Sequence, residues 1–471
     1  MIKTPQIKNA LFNWRKLSLL KVAKYVSFFI GSVILICVLI FIFFTSPFIN
    51  TFLKDRITKS LKETYPAYSI QLGDMHYNVW KNRLGCDSIT LKTGDSAFTC
   101  SVASFSVSGI GWMKILLQGG FTSNTLTSIV IDAQKITLNF RLSQKELRFG
   151  MLHISVPDSE VTADSIKYNS LIDDEQFFAK SKFRQTRFRF DIPHIKIIGL
   201  DCLGLLQGNI YSAKSINIED VFADILVNMD KPYNINSSNP QMPNEFLSSM
   251  KEIVKVDSLK ISNGRLKYCE RFAIRTTPGV VTFNKVNVKV SGISNDTAHP
   301  DTAIIHGDGL FMNSSTMKLS MVIPLTSKDF SLRYSGSVST MDVTKLNVFI
   351  EPSEHQRIKS GLLQSATFEV KVTSGHANGS LRVVYKDLTI AILNKETGSE
   401  NGIFNRIFSF LGKVFVIRGS NVPDEKGLMK IGEIKYIRNP SDYFLQYVWF
   451  ALRNGIADVA GFPPTVNPEQ L

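Results

Sequence analysis

Residues 25–44, YVSFFIGSVILICVLIFIFF, carry no charge and no proline, and this apolar run constrains the chain more than any other feature. As a helix at about 1.5 Å per residue it covers about 30 Å, the thickness of a bilayer's hydrocarbon core. It is therefore read as a transmembrane helix, which commits everything after it to one side of a membrane. Lys3, Lys8, Arg15, Lys16, Lys21 and Lys24 precede it without an Asp or Glu, and a flank of that kind stays cytoplasmic. A cleaved signal peptide would have a shorter apolar core followed by small residues, whereas Pro47, Phe48 and Ile49 follow here. The expected topology is single-pass, with residues 1–24 a basic cytoplasmic tail and the bulk of the chain translocated.

The net charge of +14 suggests a nucleic-acid partner until it is divided: six of those charges precede the span, leaving +8 for the rest. Outside the cytoplasm such a balance meets anionic lipid or polysaccharide, and no nucleic acid is expected. Beyond Cys37 in the span stand Cys86, Cys100, Cys202 and Cys269, too few for a disulfide scaffold. Cys86 and Cys100 flank the turn at Thr93, Gly94 and Asp95, and both a disulfide and a pair of small buried apolar residues stay open.

From Tyr68 to about Leu393, short runs of Val, Ile, Thr, Phe and Tyr alternate with Gly, Asn, Asp and Ser, so the chain is read as mainly β. Residues 48–65 read as an amphipathic helix and 110–117 as a helical turn. Between Val102 and Phe105 the apolar parity changes, which predicts a bulge. Apolar residues recur at i, i+2 and i+7 in Ile129/Ile131/Ile136, Ile154/Val156/Val161, Ile195/Ile197/Cys202 and Leu259/Ile261/Leu266. Such kinked strands suggest stacked copies of one β unit. The Pro/Asn/Ser-rich stretch 230–243 is the candidate boundary between a first β part, 45–233, and a second, 244–393. In the second, turn signals predict an antiparallel meander with a short helix near 341–350. Residues 394–471 are read as a helical cap of two helices, one marked by Ile403, Phe404, Ile407, Phe408 and Leu411, the other by Phe444, Tyr447, Val448, Ala451 and Val459. The expected fold is thus an elongated, curved antiparallel repeat sheet behind an N-terminal transmembrane helix, with two C-terminal helices.

No motif argues for an enzyme. The seven histidines stand in no metal-ligand spacing, and there is no nucleophile elbow, phosphate loop or dinucleotide fingerprint. No catalytic residue, metal or cofactor is predicted. Asp173, Asp174 and Glu175 read as a solvated acidic loop. KSKFRQTRFRF, residues 180–190, reads as a half-buried strand with Arg187 and Arg189 on one face and Phe188 and Phe190 on the other. An edge whose arginines meet lipid phosphates is the alternative.

A long sheet with one apolar face must cover it, and few helices are available between residues 68 and 301. A sheet curved over itself leaves a trough suited to acyl chains: at about 0.8 kcal/mol per buried CH₂, a sixteen-carbon chain gains roughly 12 kcal/mol before entropic costs. Ile129, Ile131, Ile154, Val156, Ile195, Ile197, Leu259 and Ile261 are the candidate lining residues; each fits a dry core equally well.

In this arrangement the chain resembles the AsmA-like family, which includes TamB-type proteins of the Gram-negative envelope. The likeness rests on the single span, the opening YSIQLGDMHYNVWKNRLGCDSITL, the segments TLTSIVIDAQKITLNF and VDSLKISNGRLKYCE, and the terminal block IKSGLLQSATFEVKV with NGSLRVVYKDLTIAIL. The resemblance implies a taco-shaped β groove anchored in the bacterial inner membrane. That groove would reach into the periplasm and conduct phospholipid toward the outer membrane, or serve envelope maintenance. This chain is short for a bridge across the periplasm, since strands rise only about 3.3 Å per residue and stack about 4.8 Å apart. The rival expectation is a structural or assembly factor that holds an outer-membrane or envelope protein by strand addition.

Overall fold

The computed structural model describes residues 25–32 and 54–461, except 79–80, 112–126, 235, 237, 274–275, 299–301, 395–397, 400–406, 411–412 and 417. The chain is mainly β, and among the described residues one sheet joins 20 strands. Strands β1 (Tyr68–Leu72) and β2 (Met75–Asn78) pair with β4 (Ile89–Thr93) and β3 (Arg83–Cys86) respectively, and β3 and β4 both lie along β5 (Phe98–Ser108). A meander follows through β6 (Val130–Phe140), β7 (Lys145–Ser155), β8 (Glu160–Ser170) and β9 (Thr186–Ile198).

The next rung, β10 (Ile210–Glu219) and β11 (Phe222–Asn228), runs antiparallel to β9 but parallel to β12 (Ile253–Arg271). Every other described pairing is antiparallel. A parallel neighbour requires the chain to cross back along the sheet, and residues 229–252, which include the Pro/Asn/Ser-rich stretch, make that crossover. The meander then resumes through β13 (Gly279–Ser294), β14 (Thr302–Phe311), β15 (Ser315–Pro324), β16 (Leu332–Val338) with β17 (Met341–Asp342), β18 (Gln356–Thr373), β19 (His376–Ile392) and β22 (Gly432–Ile437). The short helix expected near 341–350 is a 3₁₀ turn at Val343–Leu346 followed by a helix at Asn347–Glu354.

The parity change read in β5 recurs on its neighbours. Inward-facing residues fall at i, i+2, i+5 and i+7 in Cys100/Val102/Phe105/Val107, Ile131/Ala133/Ile136/Leu138, Leu147/Phe149/Leu152/Ile154, Val161/Ala163/Ile166/Tyr168, Phe190/Ile192/Ile195/Ile197 and Leu259/Ile261/Gly264/Leu266. The odd interval between i+2 and i+5 is one residue more than strict alternation allows, and it keeps both strand halves facing the same interior. On several strands the extra residue adopts positive φ without being glycine: Lys135 (50°), Ser165 (53°) and Asn263 (54°). A conformation that costs roughly 1–2 kcal/mol per residue is repaid by the apolar face that it keeps buried.

Of the four i, i+2, i+7 matches, Leu259/Ile261/Leu266 is such a kinked strand, with Asn263 at its bend. Ile154/Val156/Val161 instead spans the β7–β8 hairpin, where Ile154 pairs directly with Val161. Ile195/Ile197/Cys202 runs off the end of β9 into a short helix, Cys202–Gln207. Ile129 precedes β6, so its match begins outside the strand and crosses the Lys135 bend.

One of the two expected C-terminal helices is present, at Phe444–Ala460, with Tyr447, Val448, Ala451 and Val459 buried beneath it. The other is corrected: β20 (Ile407–Phe410) and β21 (Lys413–Val416) form an antiparallel hairpin, and residues 400–406 lie outside the described residues. In so short an apolar run helical and strand spacings coincide, and the β-branched and aromatic content of IFSF and KVFV favours the strand. The amphipathic helix read over 48–65 is present as α2 (Lys54–Thr64), and residues 112–117 of the expected helical turn lie outside the described residues.

Of the apolar run that opens the chain, residues 25–32 form a helix, α1, while 33–44 lie outside the described residues. No helix among the described residues is long and apolar enough to cross a membrane. Tyr25 of α1 stacks on Phe98 with ring centroids 4.8 Å apart, and Phe28 meets Tyr65 and Tyr68 at 4.5 and 4.7 Å.

Cys86, Cys100, Cys202 and Cys269 are free and buried, and Cys86 and Cys100 stand on different rungs, opposite Phe105 and Leu91. Burial pushes the Cys100 thiol up to about 12. At pH 8 it should therefore resist alkylation in the native chain and react fully once the chain unfolds; mass spectrometry after a timed iodoacetamide pulse measures this.

Candidate functional site

The registers align the inward-facing residues into rows that run across the whole sheet. One row reads Leu84, Val107, Ile131, Ile154, Val161, Ile197, Ile216, Leu259, Val290, Ile305, Met321, Tyr334, Val370, Gly379 and Ile434. The next reads Cys86, Phe105, Ala133, Leu152, Ala163, Ile195, Ile218, Ile261, Val288, Gly307, Leu319, Gly336, Phe368, Leu381 and Gly432 through the same pairings. Directly opposed apolar side chains are the unit of sheet stabilisation, and here they form an almost unbroken apolar band.

The band is not evenly covered. From β3 to β8 its residues belong to one buried cluster, with Val107 at 0% and Ile131 at 2% exposure. From β15 onward they belong to another, closed by the Phe444–Ala460 helix, whose Tyr447 is fully buried and donates to the Gly375 carbonyl at 3.1 Å. On β9 to β14 the band is half-buried: Ile195 and Ile197 pack against the first cluster, Val290 and Ile305 against the second, and Ile216, Ile218, Leu259, Ile261 and Val288 lie between. On the other arm of the bend Phe188 is 38% exposed, stacked at 6.1 Å on Phe190. The apolar band is thus fully buried at both ends and half-buried along its middle.

Six of the eight predicted lining residues fall on these two rows. Ile131 and Ile154 are in the buried end, while Ile195, Ile197, Leu259 and Ile261 are in the half-buried middle. Ile129 is buried (1%) just before β6, and Val156 lies in the β7–β8 turn, off the strands. Ile216, Ile218, Val288, Val290 and Ile305 were missed. Each pair at i, i+2 is visible in the sequence, but its membership of the band depends on registers that no single strand encodes.

One polar pair lies on the apolar face. Tyr268, opposite Ile225 and Val281, donates to Glu270 Oε1 at 2.6 Å. Burial holds the Glu270 carboxyl above its usual range, against the pull of that hydroxyl. The reverse face is differently organised. Asp173 caps the helix α3 (Asp174–Ala179) by accepting from the Gln176 backbone N–H at 2.7 Å, and Asp174 accepts from Arg187 at 3.1 Å and Arg189 at 2.8 Å. Arg187 is 4% exposed and also meets Asp224 at 3.1 Å, and Glu175 pairs with Arg271. Asp173 and Glu175 are exposed, as a solvated acidic loop should be, but Asp174 and Glu175 also supply counter-charge to Arg187, Arg189 and Arg271, and Arg187 has no freedom to meet a phosphate.

Among the described residues no group of three or more His, Cys, Asp or Glu side chains stands close enough to hold a metal ion. No protein-family model matches the chain, and no curated protein matches it.

Proposed function

We propose that this chain is a non-enzymatic, AsmA-like lipid-handling protein whose open trough holds phospholipid acyl chains, anchored through residues 25–44 in a bacterial inner membrane with its β part in the periplasm. The observation that carries the reading is the half-buried stretch of the apolar band on β9 to β14, held between two packed ends. Exposed apolar surface is costly in water, at about 25 cal/mol per Å², and an acyl chain lying across the strands covers it without asking for a hydrogen bond. Water-facing charge on the reverse side and a greasy lining suit conduction of lipid between membranes or maintenance of the envelope.

The anchor adds a condition. Residues 25–32 cannot lie in a bilayer and on Phe98, Tyr65 and Tyr68 at once. When the segment spans, those rings lose the helix that covers them, while Ile131 keeps its strand neighbours Val107 and Ile154.

A photoreactive residue at Val290 should label acyl chains when the full protein is crosslinked in membranes, whereas one at Ile131 should label only protein. No lipid adduct at Val290, or equal lipid labelling at both positions, would overturn the reading. A second reading, an assembly factor working by strand addition, is favoured by a separate feature. Strand β22 pairs only with β19 among the described strands, and Ile437 (67%), Leu445 (67%) and Trp449 (47%) are exposed beside it. Crosslinks from Trp449 to one envelope protein, with no lipid adduct at Val290, would favour that role.

A further inference from the structure

On the face opposite the apolar band, β12 to β16 line a hollow of about 540 Å³ that is open to solvent. Its floor is the backbone of the second row, whose side chains point to the other face, and its walls are the alternating residues on either side. The wall on one side is a cross-strand row of like charge: Lys260 faces Lys289, Lys289 faces His306, and His306 faces Ser320. Lys318 stands on the other wall beside Asp308, the one carboxylate lining the hollow, which accepts from the Asn287 amide at 3.1 Å. Ser320 meets the His306 ring at 3.2 Å.

Like charges directly opposite on neighbouring strands destabilise a sheet. Further along the same face the cations are neutralised: Lys196 pairs with Glu160 at 2.8 Å, and Arg83 with Asp132 at 2.7 Å. Lys260, Lys289 and Lys318 make no ion pair with any described residue. Lys260 and Lys289 are exposed and directly opposed with no carboxylate in salt-bridge reach, so they set up a positive potential over the concave floor that an anion would neutralise, while Lys318 stands opposite Asp308.

We propose that this hollow binds a phosphate-bearing anion, with Lys260 and Lys289 bridged by one phosphate, His306 donating a ring N–H, and Lys318 meeting a second anionic group. Neighbouring strands put the Lys260 and Lys289 stems about 5 Å apart, a span that one phosphate can bridge, and lysine binds phosphate as a point charge. The volume falls in the range of small-molecule sites, about 300–1,000 Å³. The site is separate from the trough and stands or falls without it.

Two probes share this chemistry and distinguish its source. The full chain in a neutral detergent is titrated by calorimetry with inorganic pyrophosphate, and separately with dihexanoyl phosphatidylglycerol below its micellar concentration. Binding of pyrophosphate assigns the site to a free phosphorylated solute, and binding of the short-chain lipid alone assigns it to a headgroup. In either arm, Lys260→Glu with Lys289→Glu should weaken binding at least about tenfold, equivalent to about 1.4 kcal/mol, while Lys260→Arg with Lys289→Arg retains it. Without ligand, Lys289→Gln should raise the melting temperature by relieving repulsion, and it should abolish the rise that ligand gives the native chain. No binding of either probe, or binding unchanged in the double Glu variant while its melting curve stays cooperative, would overturn the proposal.

Discussion

Changing Leu259 and Ile261 together to aspartate should leave a folded protein that carries at least about tenfold less lipid, whereas the same change at Ile131 and Ile136 should leave no folded protein at all. The four side chains are chemically alike and lie on the same apolar face, but their surroundings differ. Ile131 and Ile136 are each 2% exposed within the first cluster. A carboxylate forced there, without a partner, costs several kcal/mol per site even after relaxation. Two such sites match or exceed the 5–15 kcal/mol that holds a typical domain together.

Leu259 and Ile261 are half-buried, so a carboxylate at either position keeps part of its water. Only part of the 1.5–3 kcal/mol of a fully buried side chain is lost, roughly 1 kcal/mol at each site. The trough, by contrast, acquires two charges where an acyl chain must lie dry. Lipid co-purifying with the full chain in mild detergent, counted per protein by mass spectrometry, reads the effect; circular dichroism and a melting curve establish that the variant is folded. A folded Leu259/Ile261 variant with unchanged lipid content would remove the trough from consideration as the lipid site.

How far the sequence reveals this architecture depends on the length scale. Strand character is written locally, because Val, Ile, Thr and Phe alternate with polar residues within each strand. The bulge in β5 was legible as well, since Val102 and Phe105 sit at an odd separation and both are apolar. The full i, i+2, i+5, i+7 pattern was harder to see. In β12 its third position is Gly264 and in β6 and β8 its second is alanine, so a search for large apolar residues finds only fragments, some of which belong to turns. Register was least legible. Leu259 joins Ile197 and Ile216 only because the chain crosses over between β11 and β12 to make β12 parallel to β10, a consequence of chain path rather than composition. The ion pairs of the acidic loop were illegible for a related reason: Asp174 and Glu175 find Arg187 and Arg271 across distances in sequence that no local rule reports.

Two glycines on the second apolar row provide the other large contrast, because valine should be accepted at one and rejected at the other. At Gly307 the nearest atoms to an added Cβ are 3.7 Å away, an ordinary van der Waals separation. Gly307→Val should therefore fold at least as well as the native chain, with up to about 1 kcal/mol gained from strand propensity, and the new side chain should narrow the trough between Val288 and Leu319 and lower lipid content. At Gly432 an added Cβ would lie 2.3 Å from the Gly455 carbonyl oxygen, which belongs to helix backbone and cannot swing aside. The Phe444–Ala460 helix must then lift from β22, and with it Tyr447, Ala451 and Leu452 leave the second cluster. Overpacking alone costs about 1–3 kcal/mol, and each large side chain drawn out of the core adds up to about 1.5–3 kcal/mol. Gly432→Val should lose about 4 kcal/mol or more by urea denaturation and expose the C-terminal helix to protease under native conditions. Equal stability of the two variants would mean that the helix does not bury this end of the band, and the distinction between buried ends and a half-buried middle would fail with it.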